Sequence, residues 1–157
     1  AGQGAFGRRL HGEAPDVRLR ASPTQDCTTV RSCTSVSATG HSKQDAIAAT
    51  MKALGTSAPP VELDSQAKYG LVACGAADLY LRIPKGGVRR QNIWDHAAGC
   101  LVVQEAGGRV TDSNGNALDF GNGEHLSNQA TAIIVTNGVL QASVQAVVQQ
   151  CTAGGVV

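Results

Sequence analysis

Hydrophobic and polar residues follow two spacings along this chain of 157 residues. Short runs rich in β-branched residues predict strands, and apolar residues repeating every three or four positions predict helices. Strands are predicted at residues 4–10, 17–20, 30–36, 61–63, 78–83, 109–112 and 130–137, and helices within residues 41–55, 66–73, 93–106 and 138–151. Strands that alternate with helices predict an α/β fold, a layered sandwich whose mixed or largely parallel sheet is flanked by helices.

Residues at the predicted helix starts support these boundaries. Ser42 and Asp45 form a capping box at the start of the first helix, and Ser65 is expected to cap the second. In the third helix, four apolar or small residues at helical spacing are expected on the inner side. They are Ile93, Ala97, Leu101 and Val102.

Three segments are predicted along the chain. Residues 1–29 contain a long polar stretch and are interpreted as the remnant of a preceding sheet with a linker. Residues 30–151 form the α/β domain, and residues 152–157 form a tail. The chain opens without Met in a glycine-rich apolar run, so we expect it to be a piece of a longer polypeptide.

Composition excludes several classes of protein. The chain is 42% hydrophobic and 16% charged, which favours a folded core over disorder. A net charge of +1 gives no general attraction to a nucleic acid polymer or a membrane surface. No run approaches the roughly 18 apolar residues of a membrane span. The five cysteines include no C-x-x-C pair; we expect reduced, buried thiols, Cys74 and Cys100 among them, in a cytoplasmic protein.

The first candidate binding segment is the predicted start of the first helix. Ligands of open α/β sheets bind at the carboxyl ends of strands, where helices begin and backbone N–H groups are free. Gly40 allows close approach of a ligand, and His41 and Ser42 offer donors beside this start. The alternative is that Ser42 only caps the helix and His41 is exposed to solvent.

The second candidate combines the next helix start with the end of a strand. Lys68 lies in the first turn after Ser65, where the helix dipole disfavours a cation, so an anionic ligand would explain its position. A solvated lysine is the alternative. Arg82 ends a predicted strand at the edge where ligands are expected, and its planar guanidinium suits phosphate.

The third candidate is Asp95, at the predicted start of the third helix. A carboxylate there is most simply a helix cap. The same position suits a ligand to a divalent cation, which prefers oxygen donors. Residue chemistry alone therefore predicts an anion-binding crevice with a possible metal ligand, and it names no reaction.

The segment IWDHAAGCLVVQEAGG, residues 93–108, resembles the second signature of the inositol monophosphatase superfamily. Its Trp94 and Asp95, the small residues after them and the closing EAGG all match that pattern. In the superfamily the aspartate of this signature is a magnesium ligand. The resemblance therefore implies that Asp95 binds Mg²⁺.

Two further segments, DSQAKYGLVACGAADLYLRIP and LDFGNG, resemble the 3'(2'),5'-bisphosphate nucleotidase branch. Enzymes of this branch are phosphoric monoester hydrolases that remove the 3'-phosphate of adenosine 3',5'-bisphosphate to give AMP. Lithium sensitivity and roles in salt tolerance and sulfur metabolism belong to the same resemblance. It implies that five residues hold the nucleotide and its phosphates. They are His41, Ser42, Ser65, Lys68 and Arg82.

The chain departs from the family in lacking its first signature, Asp-Pro-x-Asp-Gly-Thr, and in having no two adjacent acids. In the family those segments supply most metal ligands, the threonine near the attacking water and the aspartate that activates it. We therefore expect no catalytic residue here, an N-terminal half of the same enzyme as partner, and no activity of this chain alone. The alternatives are a phosphatase of the same superfamily acting on an inositol or sugar phosphate, and a non-catalytic nucleotide-binding module.

Overall fold

Seven strands and four α-helices occupy the described residues of a computed structural model, which are 1–11, 15–36, 43–84, 91–127 and 132–153. The strands are β1 (Phe6–Gly7), β2 (Val17–Arg18), β3 (Ser32–Thr34), β4 (Val61–Glu62), β5 (Leu79–Arg82), β6 (Arg109–Asp112) and β7 (Ile133–Thr136). The helices are α1 (Gln44–Ala53), α2 (Ala67–Ala73), α3 (Ala97–Glu105) and α4 (Gln141–Ala153). Two 3-10 helices span Cys27–Thr29 and Ile93–Asp95.

Five of the strands form one mixed sheet in the order β4-β3-β5-β7-β6. Strand β3 runs parallel to both of its neighbours, β4 and β5. Strand β7 runs antiparallel to β5 and β6. The first two strands form a separate antiparallel ribbon. The predicted α/β fold with a mixed, helix-flanked sheet is confirmed.

The helices cover both faces of this sheet, and strand periodicity decides which side chains meet which helix. Leu79 and Leu81 of β5 pack in one buried cluster with side chains from α1 and α4. Tyr80, pointing the opposite way, packs in a second cluster with side chains from α2 and α3. Arg82 shares the orientation of Tyr80, so the end of β5 directs a cation toward the α2–α3 layer.

The predicted helix over residues 93–106 is wrong as a single element. A 3-10 turn at Ile93–Asp95 is followed by His96, whose φ of −137° and ψ of −34° interrupt the helix before α3 begins. This break changes which side faces inward. His96, Cys100 and Val103 are buried, whereas Leu101 and Val102 are 46% and 38% exposed, contrary to expectation.

Other boundaries shift by a few residues. Helix α1 begins at Gln44 with Lys43 in the N-cap position, and the proposed cap Ser42 lies outside the described residues. Helix α4 continues to Ala153, two residues past the predicted end of the helix at Cys151. No helix among the described residues has the length and apolar character needed to cross a membrane.

The cysteine prediction holds in part. All five thiols are free, and Cys33 and Cys100 are buried. Cys74 is exposed, because it follows the last residue of α2, where Gly75 with φ +72° turns the chain away. Cys27 and Cys151 are partly buried.

Helices α2 and α3 approach closely because Gly99 lacks a side chain. A Cβ atom added there would lie 2.6 Å from Cδ2 and 2.8 Å from Cβ of Tyr69 on α2. Those distances are far inside van der Waals contact, and the buried Tyr69 ring has little room to move. The glycine therefore sets the spacing between the two helices.

We predict that Gly99→Ala lowers the free energy of unfolding by about 1–3 kcal/mol, because the added methyl overpacks this contact. Gly70→Ala is the matched control. Gly70 lies inside α2 with no atom within 4 Å of an added Cβ, so this change should stabilise the helix by about 0.5–1 kcal/mol. Urea unfolding of both variants measures the difference. Equal stabilities would mean that the helices separate without cost.

Candidate anion-binding site

The site lies at the edge of the sheet where the three parallel strands end. Because β3, β4 and β5 run parallel, their carboxyl ends share one edge. Arg82 ends β5, and Ser65 follows β4 by three residues. His41 and Ser42, which follow β3 along the chain, lie outside the described residues, so their predicted role stays a prediction.

Lys68 is a buried cation, which rules out the solvated lysine considered as its alternative. Its residue is only 3% exposed. Its ammonium donates to the carbonyl of Leu63 at 2.9 Å and lies 5.4 Å from the centre of the Tyr80 ring. Burial lowers its pKa, and the nearby charge of Arg82 acts in the same direction. Within the described part of the chain it makes no salt bridge.

Arg82 faces Asp95 across the same edge. One terminal guanidinium nitrogen lies 3.8 Å from a carboxylate oxygen of Asp95, and the two side chains are 18% and 38% exposed. The Nε atom of Arg82 is buried and has no hydrogen-bond partner among the described residues. Buried donors without a partner are rare in proteins. The guanidinium thus retains hydrogen-bonding capacity that a bound phosphate would satisfy.

Ser65 bends the chain from β4 into α2. Its φ of +68° lies in the left-handed region, which costs a non-glycine residue about 1 kcal/mol or more. Its hydroxyl accepts the N–H of Ala67 at 3.2 Å, although Gln66 occupies the N-cap position. Ser65 therefore accepts a backbone N–H at the start of α2 as predicted, but it lies one residue before the N-cap position. Strain of this kind concentrates at binding sites.

Asp95 does not cap α3. It ends the 3-10 turn, its N–H donates to the carbonyl of Asn92 at 3.2 Å, and the N-cap position of α3 belongs to His96 without a side-chain cap. The amide of Gln66 donates to the carbonyl of Trp94 and joins this turn to the start of α2. The carboxylate of Asp95 is consequently free to face Arg82 and solvent.

A buried histidine beside Asp95 was missed by the sequence analysis. The Tyr69 hydroxyl lies 2.7 Å from Nδ1 of His96, and Nε2 of His96 lies 3.3 Å from Oε1 of Gln91. Burial, reinforced by the charge of Arg82, lowers the pKa of His96 to about 3, so the ring is neutral near pH 7. The sequence signal that could have identified His96 is a polar side chain at a position on the inner side of the helix.

The described residues do not by themselves make a magnesium site. They contain no group of three or more His, Cys, Asp or Glu side chains arranged to hold a metal ion. Asp95 offers the oxygen chemistry that Mg²⁺ prefers, but one carboxylate beside an arginine is an incomplete ligand set. No reaction step through a metal is therefore derived from these residues.

Fold and site define an α/β protein with two cations, Lys68 and Arg82, near the ends of its parallel strands. Residues 1–153 match the inositol monophosphatase family, and the chain belongs to that family. It is 51% identical to a 3'(2'),5'-bisphosphate nucleotidase of Oryza sativa over 109 residues, which cover 69% of this chain and 30% of that protein. A 3'(2'),5'-bisphosphate nucleotidase of Schizosaccharomyces pombe is 39% identical over 144 residues, covering 91% and 40%.

The chain thus spans between 30% and 40% of the length of these two curated relatives. Solved structures confirm the fold. The inositol monophosphatase from Anabaena superposes with a TM-score of 0.63 at 21% identity, covering 88% of this chain and 52% of that one. CysQ from Bacteroides thetaiotaomicron, a bacterial member of the same family, gives 0.63 at 22% identity, covering 87% and 51%.

Proposed function

We propose that this chain is the nucleotide-recognising part of a magnesium-dependent 3'(2'),5'-bisphosphate nucleotidase. The whole enzyme would hydrolyse the 3'-phosphate of adenosine 3',5'-bisphosphate, leaving AMP. The observation that carries the proposal is that two cations, Lys68 and Arg82, lie on the same side of the sheet. Among the described residues, Asp95 is the only acid within salt-bridge distance of either cation. The names of the curated relatives support the choice of substrate.

The charge balance of the site favours an anion with more than one negative charge. Lys68 uses a carbonyl as its partner, and Arg82 keeps a buried donor unpaired. A positive charge in a partly desolvated position acts more strongly than the same charge in water. A bisphosphate brings one phosphate to the reacting centre and needs extra cations for the other. Lys68 and Arg82, with Ser65 nearby, would supply that second binding site.

Asp95 would contribute one carboxylate to a magnesium site completed by another part of the polypeptide. When bound, such an ion would activate water and neutralise charge on the transferred phosphate. The general base and the remaining ligands would also come from that other part. We expect no phosphatase activity from the chain alone.

An exposed apolar surface offers a place for that other part to pack. It is formed by Phe6 of β1 with Leu101 and Val102 of α3, which are 54%, 46% and 38% exposed. A cavity of about 240 Å³ lies between them, lined also by Ala5 and Glu105. The segment shared with this chain makes up only 30% and 40% of the length of the two relatives, and the proposed partner is the remaining polypeptide of the same protein.

The free state of all five cysteines supports the predicted cytoplasmic location. Sensitivity to lithium and roles in salt tolerance and sulfur metabolism stay predictions from the family resemblance.

The direct test compares phosphate release from adenosine 3',5'-bisphosphate and from inositol 1-phosphate, with magnesium, by the complete protein and by this chain. We expect rapid release from the nucleotide by the complete protein only. Faster release from inositol 1-phosphate would replace the proposed substrate with the alternative. Nucleotide binding without release by the complete protein would favour a non-catalytic module.

We predict that Lys68→Met, in the complete protein, raises KM for adenosine 3',5'-bisphosphate about tenfold or more, as expected for the loss of a charge-assisted contact. Methionine keeps most of the volume of the buried stem and removes only the charge. The KM for a nucleoside monophosphate should rise much less. Lys52→Met is the matched control, because Lys52 is exposed on α1 at the opposite face of the sheet. Equal effects of Lys68→Met on both substrates would remove Lys68 from phosphate recognition.

A further inference from the structure

Three buried side chains form a continuous hydrogen-bonded chain between α2 and the turn that carries Asp95. Tyr69, His96 and Gln91 are 2%, 0% and 5% exposed. The Tyr69 hydroxyl lies 2.7 Å from Nδ1 of His96, and Nε2 of the same ring lies 3.3 Å from Oε1 of Gln91. Nothing in the proposed chemistry requires these groups to touch the substrate, so their burial and pairing need another explanation.

The chemistry of the three groups sets the direction of both hydrogen bonds. The oxygen of the Gln91 amide only accepts, so Nε2 of His96 must carry the proton and donate. Nδ1 of His96 then has a lone pair and accepts the hydroxyl proton of Tyr69. Each ring nitrogen has one partner, and the ring is held at both ends.

Two of these three residues are adjacent in sequence to site residues. Tyr69 directly follows Lys68, and His96 directly follows Asp95. Gln91 is itself fixed, because its carbonyl accepts the N–H of Leu126 at 2.9 Å. The hydrogen bond between Tyr69 and His96 therefore connects the neighbour of Lys68 on α2 with the neighbour of Asp95 at the turn, through buried groups.

The break in the helix at His96 gives this connection a further role. In a continuous helix through residues 93–106, regular helix geometry alone would set the direction of the Asp95 side chain. The observed backbone leaves the helical region at His96, where the ring is held on both sides. The anchored ring thus lies at the break, directly after Asp95.

We propose that Tyr69, His96 and Gln91 are positioning residues that hold the Ile93–Asp95 turn so that the Asp95 carboxylate faces Arg82. The expected effect of this positioning on turnover rests on the proposed function, whereas the expected effect on the order of the turn does not. Loss of either hydrogen bond loosens the turn without removing any group that contacts substrate.

The first test measures amide hydrogen exchange in this chain for wild type, Tyr69→Phe, Gln91→Met and Thr50→Val. Thr50→Val is the control, because it also deletes one fully buried hydroxyl, bonded to the carbonyl of Ala46 in α1 at 2.8 Å. We expect the amides of His96 and Cys100, which bond to Ile93 and His96, to exchange about tenfold faster in the first two variants, relative to Val144 in α4. Thr50→Val should leave that ratio unchanged.

The nitrogen NMR spectrum of His96 tests the direction of the bonds. The wild-type ring is expected in the tautomer protonated at Nε2. A ring protonated at Nδ1 would overturn the proposed arrangement, as would turn amides whose exchange is unaffected by Tyr69→Phe.

The second test uses the complete protein and measures Mn²⁺ binding by electron paramagnetic resonance together with kcat and KM. Tyr69→Phe is expected to weaken Mn²⁺ binding about fivefold to tenfold and to lower kcat, with KM for the nucleotide within twofold of wild type. A looser turn with unchanged Mn²⁺ affinity and kcat would reduce the three residues to a stabilising role and refute positioning. If wild type releases no phosphate from the nucleotide, the proposed function fails, while the exchange and Mn²⁺ results still decide the inference.

Discussion

Asp95→Asn in the complete protein is expected to lower the turnover of adenosine 3',5'-bisphosphate by at least about a hundredfold, since even residues that only support a metal ligand cost up to that factor when replaced. Asparagine keeps the size of the side chain and one oxygen, so the turn and α3 should remain folded. The lost charge is the one that would face a magnesium ion. Steady-state kinetics at saturating magnesium measures the change.

The structure adds an expectation about the stability of Asp95→Asn. Asp95 provides no cap to α3, so its replacement should cost little stability. Asp26→Asn is a suitable control, because Asp26 is an exposed carboxylate whose oxygen caps the 3-10 helix at Cys27–Thr29, and asparagine caps equally well. Near-normal turnover of Asp95→Asn, or a collapse in stability equal to its loss of activity, would contradict a role in metal binding.

The second large effect concerns stability and lies at the opposite edge of the sheet. Asp78 precedes β5 and is fully buried. Its carboxylate accepts hydrogen bonds from the Ser22 hydroxyl, from the backbone N–H of Arg31 at 2.8 Å and from the Arg31 guanidinium at 2.8 and 3.0 Å. Asn137 also donates to Ser22. This cluster fastens the segment before β3 to the ends of three strands.

We expect Asp78→Asn to lower the free energy of unfolding at pH 7 by about 3 kcal/mol, because it leaves Arg31 and Ser22 facing an amide rather than a carboxylate. Asp16→Asn is the matched control. Asp16 forms an exposed salt bridge with Arg8, and such pairs contribute between about 0 and 1 kcal/mol. Urea unfolding of both variants distinguishes the buried pair from the exposed one. Equal losses would mean that burial adds nothing to the Asp78 cluster.

The same carboxylate should make stability depend on pH. Burial alone would raise the pKa of Asp78, but the hydrogen bonds from Arg31 and Ser22 outweigh it and lower the pKa to about 2, from an ordinary 3.8. A depressed pKa stabilises the folded state above the unfolded value and loses that contribution as pH falls toward 2. The loss is about 2 kcal/mol. Because asparagine does not titrate, the stability difference between wild type and Asp78→Asn should shrink by that amount between pH 5 and pH 2.

Much of the architecture could be predicted because hydrophobic spacing is local. The strand that became β6 is found at the predicted residues, and the segments that became β5 and β7 contain the observed strands. The strand–helix alternation led directly to the α/β class. Lys68 and Arg82 could be proposed as anion-binding residues from their positions at a helix start and a strand end.

The failures share a cause. A continuous helix over residues 93–106 was favoured by local spacing, but the backbone breaks at His96, whose ring is hydrogen-bonded to Tyr69 and Gln91, residues that local spacing does not place. Leu101 and Val102 are consequently exposed where burial was expected. The alternative of a solvated Lys68 is also wrong, because α2 packs on Tyr80 and buries the lysine side chain. Local spacing does not show this contact.

The sequence by itself therefore determined the fold class and the order of the elements, and it led to the proposal that Lys68 and Arg82 bind phosphate, since these follow from residue type and short-range spacing. The tertiary structure alone decided which charges meet. It brought Arg82 to 3.8 Å from Asp95 and buried Lys68. It also linked the two site elements through Tyr69 and His96. Those contacts join residues distant along the chain, and their geometry depends on the sheet register and on the helix spacing set by Gly99, which local patterns do not encode.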